Sequence, residues 1–174
     1  MGKKRKIDFV LYEDDDEILV FRFYPRQSNC HSFNDVPPTC WGEVYKVYYA
    51  YSVFRRFKDD NYTEVLFECL CDECSVIDEV ANRIQLIVDG YKSITRIFDD
   101  KEYVIELLDK EIFPLGDGVS WTIKECSKPG SYEIVLWKYD GIGYRFYLAK
   151  DKLKEFGLYL QQCCDYMLAH GEPI

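Results

Sequence analysis

The segment LYEDDDEIL, residues 11–19, sets five carboxylates in a row, Glu13, Asp14, Asp15, Asp16 and Glu17, between two apolar runs. Such a row can hold a hard cation, imitate the phosphates of a nucleic acid, or simply keep a hairpin tip in water. A calcium loop alternates its carboxylates, bends at a glycine and ends in a distant glutamate. None of these features is present here, so no metal is expected at this segment. Five adjacent like charges repel one another, which keeps the segment solvated and discourages strand addition beyond it. The spacing leaves two readings open, a plain charged turn and a phosphate-like surface for a basic partner.

Acidic residues recur further along. Residues 59–79 contain eight acids, beginning with Asp59 and Asp60, and no Lys or Arg; residues 99–117 contain seven, beginning with Asp99 and Asp100, against Lys101 and Lys110. Asp59, Asp60, Asp99 and Asp100 are therefore a candidate second acidic cluster beside residues 13–17. Basic residues are grouped too, in KKRK at 3–6, in RRFK at 55–58 and at Lys150, Lys152 and Lys154. Arg55, Arg56 and Lys58 stand close to Tyr49 and Tyr51, a pattern that suits base stacking with phosphate contact. The net charge of −9 opposes that use and opposes binding to anionic membranes. It favours a basic protein partner, with direct nucleic-acid binding as the alternative.

The eight cysteines include Cys69, Cys71 and Cys74 in CLCDEC, with Cys30, His31 and Cys40 upstream. Three thiolates and one further ligand would satisfy zinc. Yet Cys69 and Cys71 fall on the apolar side of a strand pattern, where Cys acts as a small hydrophobe, and no second C-x-x-C pair follows. No metal or other cofactor is expected. The chain has only two histidines, His31 and His170, and lacks a phosphate-binding glycine loop, a nucleophile elbow and a metalloprotease motif. A non-enzyme is expected. No apolar run is long enough to span a bilayer, and no signal-peptide core follows the basic start, so a cytoplasmic protein with reduced thiols is expected.

The elements that must position these residues read as strands and helices in α+β order. Ile7, Phe9 and Leu11, then Leu19, Phe21 and Phe23, alternate as the two arms of a hairpin. Tyr- and Val-rich strands follow up to about residue 57 and again over 62–71. Ile77, Val80, Ile84, Ile87, Tyr91 and Ile94 have helical spacing, predicting a helix over about 75–96. Residues 98–118 are expected to hold one short strand or helix. A meander over 119–125, 132–138 and 143–148 precedes a second main helix over about 151–168. The result is a mainly antiparallel α+β chain in two strand-then-helix units, forming one domain or one domain with sub-lobes over about 5–98 and 99–170.

This element order resembles that of the PC4, Whirly and Pur-alpha groups of single-stranded nucleic-acid binders, which implies a nucleic-acid-binding regulatory module. The overall profile of a small acidic α+β chain without catalytic motifs resembles the inhibitors of phages and mobile elements, such as anti-CRISPR and immunity-type proteins. That second resemblance implies a non-catalytic protein that occupies the basic surface of a CRISPR effector nuclease, another nuclease or a toxin.

Overall fold

A computed structural model describes residues 8–24, 48–112, 119–138 and 141–170. Four strands, β1 (Asp8–Glu13), β2 (Glu17–Tyr24), β3 (Tyr48–Phe57) and β4 (Thr63–Glu73), lead into helix α1 (Cys74–Val88). Five more, β5 (Ser93–Phe98), β6 (Lys101–Glu106), β7 (Val119–Glu125), β8 (Ser131–Lys138) and β9 (Gly143–Ala149), lead into α2 (Lys150–His170). Every ladder is antiparallel, giving an α+β fold of two strand-then-helix units. The strands form a sheet in the order β1-β2-β3-β4, a two-stranded ribbon β5-β6, and a meander β7-β8-β9.

Alternation in the sequence dictates which face of the first sheet is buried. Phe9 and Leu11 of β1, Phe21 and Phe23 of β2, Tyr51 and Val53 of β3, and Phe67 and Cys69 of β4 enter the core. The register slips at several points, and one slip moves residues to the other face. Val53 lies opposite Phe67 but Phe54 lies opposite Val65, so β4 carries an extra residue at Leu66 and the preceding residues change face. Val65, which unbroken alternation would set beside Phe67 on the apolar face, is accordingly 57% exposed. The other face of the sheet also buries Val20, Ala50, Ser52 and Phe54, with the Arg22 guanidinium 4.7 Å above the Phe54 ring.

Helix α2 closes the core from the second unit. The ring of Phe156 lies 5.2 Å from Phe9, 5.3 Å from Phe21 and 5.7 Å from Phe146, so one residue joins the first sheet to the meander. Trp121 of β7 is fully buried between Tyr51 and Phe156. Gly157 marks a close approach of the helices: a Cβ there would sit 2.6 Å from Cγ2 of Ile84 on α1. Among the described residues, no helix is long and apolar enough to cross a membrane.

The expected helix over 75–96 is corrected by the structure: α1 stops at Val88. Gly90, at φ 95°, donates its N–H to the Ile87 carbonyl at 3.0 Å, and Tyr91 donates to Leu86 at 3.0 Å. This left-handed glycine closure ends the helix although the apolar spacing continues past it. Ile94 therefore packs against the core from strand β5, so periodicity alone could not separate the two assignments.

A candidate acidic surface at one end of the four-stranded sheet

Register brings two turns together. Glu13 lies opposite Ile18 across the β1–β2 turn, and Glu17 lies opposite Phe57, the last residue before the β3–β4 turn. The backbone N–H of Lys58 donates to the carbonyl of Asp16 at 2.9 Å, tying one turn to the other. The β3–β4 turn closes through the Phe57 N–H on the Tyr62 carbonyl, 2.9 Å, and the Tyr62 N–H on Oδ1 of Asp60, 2.9 Å. Asp59 and Asp60 thus join residues 13–17, although they lie more than forty positions away in the chain.

The five consecutive carboxylates do different work there. Oδ1 of Asp14 accepts the N–H groups of Asp16 and Glu17, each at 2.8 Å, and Oδ2 accepts the Tyr12 hydroxyl at 2.8 Å. Those donors, Glu17 and Asp16 first, hold the Asp14 carboxyl below its ordinary value of 3.8. The same bond, with the Asp14 charge, raises the Tyr12 phenol. Glu13 pairs with Nζ of Lys58 at 2.9 Å. Glu17 sits 3.6 Å from Arg55, whose guanidinium also binds Glu64 at 2.7 Å. Asp15, Asp16 and Asp59 remain exposed, and no cation pairs with them among the described residues; Asp60 is exposed as well.

The basic residues proposed for phosphate contact occupy this same end and are largely spent on it. Arg55 is clamped by Glu17 and Glu64 and stacks 5.0 Å from the Phe57 ring. Lys58 is held by Glu13, and Arg56 lies 5.7 Å over Phe54 on the opposite face of β3 from Arg55. Tyr51, expected as a base-stacking ring, is fully buried and stacked on Phe21 at 5.1 Å. Its position is a correction: β3 is covered on both faces, so a Tyr in it is core. Tyr49 lies in β3 and its side chain is outside the described residues.

Asp99 and Asp100 do not join this surface. They form the two-residue turn of the β5–β6 ribbon, both left-handed at φ 53° and 60°. Arg96 reaches Glu79 on α1 at 2.8 Å, which runs β5 back along the helix from its C-terminal end. The ribbon tip therefore points toward the start of α1, next to the far end of β4 from Asp59 and Asp60. The ribbon carries a feature the carboxylate patterns did not reveal. Ile97, Phe98 and Val104 are each more than 70% exposed, and Tyr103 is nearly half exposed. The signal was present as strand alternation in SITRIF and KEYVIE around a two-Asp turn.

Cys69 is buried in the core as a small apolar residue. Cys71 and Cys74 have side chains outside the described residues, as do Cys30, His31 and Cys40. Among the described residues, no three His, Cys, Asp or Glu side chains are grouped as metal ligands. Comparison of the chain with protein-family models, curated proteins and solved structures gives no match.

Proposed function

We propose that this chain is a non-catalytic, cytoplasmic binding protein that inhibits a nucleic-acid-processing partner, such as a CRISPR effector nuclease or a toxin, by occupying its basic surface. The observation that carries the reading is the division of labour at the sheet end. Lys58 and Arg55 are neutralised by Glu13, Glu17 and Glu64, while Asp15, Asp16, Asp59 and Asp60 face solvent together. A fixed row of uncompensated carboxylates on a rigid sheet end steers toward positive potential and competes with phosphates for it.

The test is a cleavage assay against a panel of RNA-guided nucleases and nuclease toxins. Reversing Asp15, Asp16 and Asp59 to Lys is expected to slow association by about tenfold or more at low salt, with the melting curve unchanged. Asp14 and Asp60 are left intact because each accepts the backbone N–H bonds that build its turn. Inhibition that survives the reversal removes this surface from the interface. Binding of the isolated protein to short oligonucleotides tighter than about micromolar at physiological salt would favour the nucleic-acid module instead.

A further inference from the structure

A groove of about 490 Å³ lies between β1 and β9, within the volume range of ordinary ligand sites. One wall is residues 10–13 of β1; the other is Tyr147, Leu148 and Ala149 of β9 with Lys152 from the first turn of α2. Successive residues of a strand point to opposite faces. A groove that touches every residue in a row therefore follows the edge of the strand, not one of its faces. β1 is outermost in the four-stranded sheet and β9 is outermost in the meander, and neither outer edge carries a further strand among the described residues. Such edges present backbone N–H and C=O groups ready for a new strand.

We propose that this groove receives an extended segment of a basic protein partner, which pairs as an added strand with the edge of β1 and directs Lys or Arg at Asp15 and Asp16. The inference rests on the proposed function and names the element by which the partner is held. Charge selects the occupant. The Glu13 end of the groove adjoins the turn whose Asp15 and Asp16 have no cation among the described residues, and Lys58 already occupies Glu13. Lys152, on the other wall, pairs with Glu155 at 3.5 Å and lies 4.9 Å over the Phe9 ring, so it does not neutralise the turn. A second copy fits poorly, because the chain carries −9 and its own β1, DFVLYE, offers no cation. Four paired residues, at about 3.4 Å each, match the β1 wall, and alternate side chains would rest on Val10, Tyr147 and Ala149.

The experiment selects a displayed random-peptide library on the full chain and measures the selected peptides as synthetic ligands. Enrichment of alternating β-branched or aromatic residues with Lys or Arg toward one end is expected. Ala149→Trp, at an exposed position on the groove wall, should weaken these peptides by about a hundredfold, as should N-methylation along one peptide edge. Asp15→Lys with Asp16→Lys should weaken them by about tenfold in a salt-dependent way. Tyr147→Arg, also at an exposed position, replaces Ala149→Trp if that variant fails to fold. Absence of selected peptides, or equal binding by N-methylated peptides, overturns the proposal. Peptides sensitive to the charge reversal but not to Ala149→Trp overturn the groove and leave the acidic-surface reading standing. Peptides sensitive to Ala149→Trp but not to the reversal overturn the basic partner, and the acidic reading with it.

Discussion

Two acidic hairpin turns, residues 13–17 and Asp99 with Asp100, use the same side chains in opposite settings. The first turn ends strands whose Phe9, Leu11 and Phe21 are locked under α2, and it is braced by Lys58, Arg55 and the Asp14 hydrogen bonds. The second ends a ribbon whose strands, among the described residues, pair only with each other and whose apolar side chains, Ile97, Phe98 and Val104, face solvent. A carboxylate run thus takes its meaning from what stands behind it. Over a core it can be a rigid electrostatic surface; on a free ribbon it is the hydrophilic tip of a segment held mainly by Arg96 on Glu79 and by partial burial of Ile94 and Ile105. A two-stranded ribbon without a covering layer is marginal by itself.

The largest expected effect would break that contrast if it failed. Phe21→Ala removes a ring that meets Tyr51, Trp121, Phe156 and Tyr159, and should destabilise the protein by about 3–5 kcal/mol. Ile97→Ser on the ribbon should change stability by no more than about 0.5 kcal/mol. Denaturant unfolding of both variants checks the pair. A large loss at Ile97 would mean that the ribbon is covered by something and is not free.

A smaller effect sharpens the contrast from the ribbon side. Asp99 and Asp100 occupy left-handed backbone positions that Asn and Gly adopt with less strain. Asp99→Asn with Asp100→Gly should stabilise the ribbon locally by about 1 kcal/mol and slow amide exchange in β5 and β6. Exchange in β2 and β3 should stay the same, because those strands open with the core. Equal slowing in both regions would show that ribbon and sheet unfold as one unit.

Much of this architecture was legible from alternation alone. The hairpin of β1 and β2, the meander and α2 follow from apolar residues at period two and then at helical spacing, each bounded by turn chemistry. The errors have local causes. Tyr91 and Ile94 continue the helical spacing of α1, but Gly90 had already closed the helix; Val65 keeps the strand period, but the bulge at Leu66 had moved it to the other face. The candidate surface was legible only in part. The row at 13–17 stands out in sequence, whereas its union with Asp59 and Asp60 depends on the pairing of Glu17 with Phe57, a long-range register. That same register brought Arg55 and Lys58 onto the acids, so two clusters that looked like rival sites became partners. Tyr51 could not be recognised as core while the covering of β3 was unknown.

The smallest effect concerns pH and separates the two turns by chemistry. The folded value of Asp14 lies below its ordinary 3.8 because backbone donors from Glu17 and Asp16 favour the carboxylate. Its contribution is therefore complete above that ordinary value and is lost as pH falls through the lower, folded one. Asp14→Ala should melt below the wild type near neutrality, and the gap should narrow as the pH is taken well under the ordinary value, where the wild-type carboxyl protonates too. Asp99→Ala, which removes no such bonded carboxylate, serves as the control from the other turn. Melting temperatures across the acid range provide the measurement. If the Asp14 gap stays constant with pH, the ionised carboxyl is not what fixes the turn, and the rigidity assigned to the acidic sheet end must come from the strand pairing beneath it.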